Sequence, residues 1–249
     1  MKKVSIILPT YNEKDNIRPL IEAICLNLKG EFEVIVVDDN SPDGTGEIVE
    51  LLSRRDRRIR LLRRKGNRGL TASLWEGIAA ARYDYVIWMD ADFAHPPSLL
   101  PRMIEEPDRF DIVVASRYVS GGRDGRDSLL RRGVSLLLNR ISAWLTRSSV
   151  RDLSSGFLRV KKPVFERIPL QGEYGDYCID FLICAEKAGY RIKEIPFTNV
   201  DREEGYSKTT TNPLIFFRYA LIYLRALIKL RKINTTVMNN QLPPEEKNE

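Results

Sequence analysis

An α/β fold of Rossmann-like type, with a mostly parallel sheet flanked by helices, follows from three features of the sequence. Short apolar runs alternate with helix-length amphipathic segments as far as Arg117, the runs are almost continuously apolar, and several end in acidic or turn-forming residues. Near-continuous apolar strands joined by helices belong to parallel sheets covered on both faces. In such sheets ligands collect outside the carboxyl ends of the strands.

The elements follow in order. Strands are predicted at Val4–Thr10 ("VSIILPT"), Glu33–Asp39 ("EVIVVDD"), Ile59–Arg64, Tyr85–Asp90 ("YVIWMD") and Asp111–Arg117, with helices between them near 14–29, 43–54, 70–82 and 98–106. After Arg117 come a glycine-rich loop, "YVSGGRDGRDS", a long helix from Leu129 to Thr146, and mixed elements to about Asp201. No linker or internal repeat divides the chain. Residues 1–212 therefore read as one domain, 213–232 as a basic amphipathic helix, and 233–249, "NNQLPPEEKNE" with its neighbours, as a disordered tail.

Composition narrows the function. A chain of 249 residues with 43% hydrophobic content buries a sizeable core. Cys25, Cys178 and Cys184 have no CxxC spacing and His95 is the only histidine, which excludes a zinc ribbon and a disulfide framework and suits a reducing compartment. Nothing at the start reads as an export signal. The net charge of +6 is unevenly placed: "RRDRRIRLLRRKGNR", Arg54 to Arg68, holds nine basic residues and points to an anionic partner. Nucleic acid is the least suitable one, because the run has no interleaved aromatics for base stacking. A solvated face or contact with anionic lipid headgroups suits it better.

The acidic strand ends carry the chemistry. Asp90 and Asp92 in "MDADFAHPP" are two apart, so on an extended segment both carboxylates point the same way. That arrangement suits Mg²⁺ or Mn²⁺, which is held by one or two carboxylates with substrate phosphates and waters completing the shell. The plainer reading is that Asp92 caps a turn while Asp90 is solvated. "VDDNSPDGT" is a strong turn signal in which Asp43 caps the next helix, which explains Pro42 and Gly44 but not Asp38 and Asp39 together. "PTYNE" reads equally as a strand exit or as a site. All three strand ends are predicted to open into one cleft.

Together "SIILPTYNEKDNI", "VIVVDDNSPDGT", "GNRGLTASLWEGI", "YVIWMDADFAHPP" and "IVVASRYVSGG" resemble the GT-A nucleotide-diphospho-sugar transferases of family 2. "SSGF" and "VDREEGYSK" narrow the resemblance to dolichyl-phosphate mannose synthases, over about residues 3 to 212. It implies a GT-A fold and a donor, GDP-mannose, held at Pro9, Tyr11, Glu13, Val37, Asp39, Asp90, Ala91, Asp92, Arg117, Arg202 and Lys208. Asp90 and Asp92 match the metal site, and Asp92 and Arg117 the catalytic positions. Ala94 departs from the pattern, standing where many members carry a metal-contacting glutamine. Asp180 stands where glutamate is common.

The second substrate has its own signal. On the helix from Leu129, Arg131, Ser135 and Asn139 recur at spacing four with Ser128 and Ser142 on the same side, in a segment otherwise rich in Leu, Val, Ile and Trp. The ordinary alternative is an amphipathic helix with its polar stripe in water. The resemblance places the acceptor's phosphate, that of dolichol or a similar polyprenol, at Arg117, Arg131 and Ser135. "LIFFRYALIYLRALIKLRK" from Leu214 is too interrupted by charge for a transmembrane span and reads as an interface helix. The expectation is thus an inverting transferase at the cytoplasmic face of a membrane, peripheral, attached by these helices or by a separate anchoring subunit. A UDP-glucose donor is the alternative within the same chemistry.

Overall fold

The structure is a computed structural model that describes residues 2–172 and 176–199. Its strands, in chain order, are β1 (Val4–Thr10), β2 (Phe32–Asp38), β3 (Ile59–Arg63), β4 (Tyr85–Trp88), β5 (Ile112–Ser116), β6 (Arg123–Asp124), β7 (Leu158–Lys161), β8 (Ile192–Pro196) and β9 (Thr198–Asn199). The helices are α1 (Lys14–Asn27), α2 (Thr45–Arg55), α3 (Leu70–Ala80), α4 (Leu100–Glu105), α5 (Leu129–Thr146), α6 (Val164–Arg167) and α7 (Asp176–Lys187). Seven strands form one sheet in the order β3-β2-β1-β4-β7-β5-β8, and β6 and β9 pair separately. Every neighbouring pair in the large sheet is parallel except those made by β7, which runs antiparallel between β4 and β5.

Alternation along the strands builds two cores. Ile7, Ile35, Val37, Trp88, Val114 and Leu158 face α3, α6 and α7, while Ile6, Leu8, Val34, Val36, Ile87 and Val113 face α1, α2 and α4. Both faces are covered, as near-continuous apolar strands require. Helix α3 lies very close to the sheet: a Cβ on Gly77 would sit 2.6 Å from Ile7 Cγ2.

The first five strands fall where the sequence predicts them, and their ends differ for identifiable reasons. β4 stops at Trp88 because the Asp90 N–H leaves the sheet and donates to His95 Nδ1 at 3.0 Å. β5 stops at Ser116 because the Arg117 N–H donates to the Asp152 carboxylate at 2.9 Å. Among the described residues no helix is long and apolar enough to cross a membrane. The predicted helix at 213–232, the tail at 233–249, the domain end at 212, and Arg202 and Lys208 lie outside the described residues.

Candidate functional site

Because β1, β2, β4 and β5 are parallel, their carboxyl ends share one edge of the sheet. The antiparallel β7 brings its preceding segment, Ser154 to Phe157, to the same edge. That edge is where doubly wound sheets bind ligands, and the predicted site residues within the described range are placed along it or on α5 beside it.

At the β1 and β2 ends two loops are laced together. Thr10 O accepts from the Asp39 N–H at 2.9 Å, the Asn12 N–H donates to Ser41 Oγ at 3.0 Å, and the Glu13 N–H donates to Thr45 Oγ1 at 3.0 Å. Asp43 joins the starts of two helices, accepting from the Lys14 N–H and the Thr45 N–H, both at 3.0 Å. Burial by itself raises the Asp43 carboxyl, but the hydrogen bonds from Thr45 and Lys14 outweigh it and hold the group below its ordinary value. A depressed carboxylate contributes stability that is complete above its unfolded value of about 4 and is lost as the pH falls through the folded one. Melting temperatures of wild type and Asp43→Asn should therefore differ at about pH 6 and converge toward about pH 2.5. A constant difference across that range would contradict this assignment.

The paired aspartates of β2 divide their roles. Asp38 is a turn residue, accepting from the Ser41 N–H at 3.0 Å and from the Thr10 hydroxyl at 3.2 Å, so the turn explains it after all. Asp39 is held by the Gly69 N–H at 3.0 Å and by Arg64. Tyr11 lies at the same edge under the Arg68 guanidinium, 4.0 Å from its ring centroid. Pro9, Tyr11 and Glu13 are half-buried. Val37 is fully buried in the core, so only its backbone is available to a nucleotide.

The acidic pair sits in a turn and not on a strand, which corrects the geometry assumed from its spacing. After Trp88 the chain bends, Phe93 adopts a left-handed φ of 62°, and Asp92 Oδ1 accepts from the Ala94 N–H at 3.1 Å. The turn role foreseen for Asp92 is thus real. It uses one carboxylate oxygen of a residue that is otherwise buried, with Ala91, beneath the edge. Asp90 is more open, with its side chain 45% exposed. The His95 ring stacks on Phe157 at 5.0 Å and fixes the Asp90 backbone through Nδ1, which makes it a structural residue. Gly156 packs against this group, its side-chain position 3.5 Å from His95 and 3.9 Å from an Asp90 oxygen. A bulky residue at 156 would crowd Asp90. Left-handed φ angles also occur at Asn12 and Asn40, so three strained non-glycine residues cluster on this edge.

The donor set fits a hard divalent cation. Two carboxylates are present, and among the described residues no third Asp, Glu, His or Cys joins them. Ala94 offers only its backbone. Mg²⁺ and Mn²⁺ accept such a set when phosphates and waters complete the octahedron.

Arg117 is clamped in place. Nε and Nη2 donate to the two oxygens of Asp152 at 2.8 and 2.7 Å, and Nη2 also reaches Ser154 Oγ at 2.8 Å. Asp152 is fully buried and Arg117 nearly so. Burial alone would lower the guanidinium's pKa, but Asp152 outweighs it and keeps the group charged. Nη1 lies 3.9 Å from Asp124, whose own carboxylate is bound by Arg126. Tyr118, under the Arg117 guanidinium, donates to Ser135 Oγ at 2.9 Å, and Asn139 donates to Ser154 Oγ at 2.8 Å. Two bridges therefore join the Arg117 corner to α5. Asp152 has no marker in the sequence, and Tyr118 and Ser154 only their places in "IVVASRYVSGG" and "SSGF", because their roles come from contacts between distant segments.

Helix α5 is inverted relative to an ordinary surface helix. Asn139, Ser142 and Thr146 are buried on its inner side. Leu129, Leu130 and Trp144 are each 77% exposed on its outer side, with Leu137 and Ile141 also exposed. These three polar residues are therefore not in water, although they belong to the helix's polar side. Ser128 caps the helix by accepting from the Arg131 N–H, and Arg131 itself is exposed one turn before the half-buried Ser135. Asp180 lies half-buried on α7.

Among the described residues, five of the nine basic residues in the arginine run are paired with carboxylates of this chain. Arg54 pairs with Glu50, Arg58 with Asp56, Arg60 with Glu33, Arg63 with Glu47, and Arg64 with Asp39 and Glu76.

The sheet carries an acidic turn at its ligand edge and a clamped arginine beside it, and by family the chain is a glycosyltransferase. The chain belongs to Glycosyl transferase family 2, whose profile matches residues 5–168. More particularly, it is 34% identical over 235 residues to a dolichol-phosphate mannosyltransferase of Pyrococcus furiosus, covering 92% of this chain and 64% of that one. It is 33% identical over 215 residues to a polyprenol monophosphomannose synthase of Mycolicibacterium smegmatis, covering 83% of this chain and 81% of that one. The chain thus spans a little under two thirds of the length of the Pyrococcus relative. Among solved structures it is similar in fold to glucosyl-3-phosphoglycerate synthase of Mycobacterium tuberculosis in complex with Mn²⁺, UDP and phosphoglyceric acid. The TM-score is 0.67 at 19% identity, over 93% of this chain and 79% of that one. The same synthase has also been solved with Mg²⁺ and UDP.

Proposed function

We propose that this protein transfers mannose from GDP-mannose to dolichyl phosphate or a similar polyprenyl phosphate, with inversion at the anomeric carbon. The observation that carries the reading is the inverted helix α5, which turns Ser135 and Asn139 toward the Arg117 corner and its apolar side outward. An acceptor with a phosphate head and a hydrocarbon tail needs those two environments side by side. The names of the two relatives support the same acceptor class.

In this scheme a phosphate oxygen of the acceptor bonds to the anomeric carbon, and the bond from that carbon to the diphosphate breaks. The nucleoside diphosphate leaves with the electron pair. The acceptor phosphate is largely ionised at neutral pH, so no proton has to be removed and no catalytic histidine is needed. Asp90 and Asp92 would hold Mg²⁺ or Mn²⁺, which when bound supplies positive charge at the diphosphate. Arg117, fixed in direction by Asp152, sets its charge beside the phosphates without reorganising during transfer. Tyr11, Glu13 and Asp39 hold the nucleotide, and Arg131 and Ser135 the acceptor phosphate. The mycobacterial synthase solved with UDP-glucose keeps that donor as a second reading.

Labelled mannose supplied as GDP-mannose should appear in dolichyl phosphate only when Mg²⁺ or Mn²⁺ is present, with UDP-glucose run in parallel. Transfer from UDP-glucose alone would change the donor, and transfer from neither would overturn the proposal.

The exposed apolar side of α5 supports peripheral attachment to a membrane, and the proposal puts that contact on the cytoplasmic face. Changing Leu130 and Trp144 together to Glu should weaken binding to anionic phospholipid vesicles by at least about tenfold, since each side chain gains some 1.5–3 kcal/mol on leaving water. Unchanged co-sedimentation would remove α5 from the membrane contact.

A further inference from the structure

Arg64 belongs by sequence to the basic run, yet its surroundings are unlike those of its neighbours. Its side chain is only 7% exposed, and its backbone N–H donates to Asp38 O at 2.9 Å at the end of β2. Nη1 reaches Asp39 and, at 3.2 Å, Ser73 Oγ, while Nε donates to Glu76 at 2.9 Å. One guanidinium thus ties the Asp39 carboxylate to two residues of α3. The Gly69 N–H holds the other Asp39 oxygen at 3.0 Å. This buried carboxylate, fixed from two directions, is set in one orientation at the nucleotide edge, where the Asp39 N–H also donates to Thr10 O, next in the chain to Tyr11.

We propose that Arg64 is a positioning residue that orients Asp39 to read the nucleobase of the donor. The inference rests on the nucleotide-sugar reading given above. An ionised carboxylate is acceptor-only, so it pairs with bases that present a ring N–H, as guanine and uracil do. Adenine presents a ring nitrogen acceptor at the corresponding place. Each Asp39 oxygen keeps lone-pair capacity after its bond to Arg64 or Gly69, because an ionised carboxylate offers about four acceptor sites in all. An ionised acceptor also makes the stronger bond. Lysine would not reproduce this, since a single ammonium cannot reach Asp39, Ser73 and Glu76 in the planar fork that arginine offers.

The test is nucleotide binding by calorimetry with Mn²⁺, comparing GDP, UDP and ADP on wild type, Arg64→Lys, Glu76→Ala and Asp39→Asn. Wild type should prefer GDP or UDP to ADP. That preference should fall about tenfold in Arg64→Lys, the scale of one charge-assisted hydrogen bond, and similarly in Asp39→Asn. A double variant carrying Arg64→Lys and Asp39→Asn should lose little more than either single change, because both remove the same oriented group. Glu76→Ala changes a residue with a 53% exposed side chain, so it loosens Arg64 without threatening the fold, and it should lower the preference about threefold. The ratio of two affinities does not depend on how much protein is folded, so a merely structural Arg64 would leave it unchanged. An unchanged preference in both Arg64→Lys and Glu76→Ala, with wild type discriminating, would overturn the positioning role and leave the transferase reading intact. A wild type that binds none of the three nucleotides would overturn that reading, and the positioning role with it.

Discussion

Asp92→Asn is expected to lower mannosyl transfer by about 10²–10³-fold, the usual scale for removing one group that stabilises developing charge, while the protein stays folded. The asparagine amide oxygen still accepts from the Ala94 N–H, so the turn that Asp92 closes at 3.1 Å survives the change. What disappears is the negative charge, and with it half of the carboxylate pair that fits a divalent cation. The loss should appear in the Mn²⁺ concentration needed for half-maximal activity before it appears in the melting temperature. Transfer within a factor of about three of wild type would mean that Asp92 serves only the turn, since a catalytic electrostatic contact rarely counts for so little.

Asp152→Ala should have the largest effect on stability. It would leave Arg117 buried with no carboxylate on Nε and Nη2, and breaking a buried pair from one side typically costs about 3–5 kcal/mol. Two hydrogen bonds at 2.7 and 2.8 Å and the backbone bond from Arg117 N are lost together. Replacing both partners, Arg117→Met with Asp152→Leu, should recover most of that stability, since apolar substitutes for a buried ion pair are often neutral or better. The double variant should remain inactive. Denaturant unfolding and transfer assays on the three proteins separate the two roles. A stable, active Asp152→Ala would show that the clamp serves neither.

The basic run and the acidic pairs show where sequence reading reached its limit. Spacing puts Asp90 and Asp92 on an extended segment, whereas β4 ends at Trp88 and the two lie in the turn that follows, Asp92 buried and Asp90 more open. Asp38 and Asp39 looked like one unit, and only the partners of each, Ser41 for one and Arg64 for the other, divide the pair between turn and site. Arg64 was one basic residue among nine, with nothing in the string to mark it as buried. A charge run records residue types. It does not record which of them meets a carboxylate brought from another strand.

By itself the sequence determined the alternation of strand and helix, the parallel character of the first strands, and the edge where the polar residues gather. Those features depend on periodicity and on neighbours in the chain, which local sterics and burial fix. Tertiary structure alone decided that β7 enters antiparallel and carries Ser154 and Gly156 to the site, that Asp152 clamps Arg117, and that α5 turns the stripe of Ser135, Asn139 and Ser142 inward. An amphipathic helix has the same pattern whichever side faces solvent. The choice was made by Tyr118 and Ser154, whose hydrogen bonds to Ser135 and Asn139 give that stripe buried partners and leave the leucines and Trp144 outside.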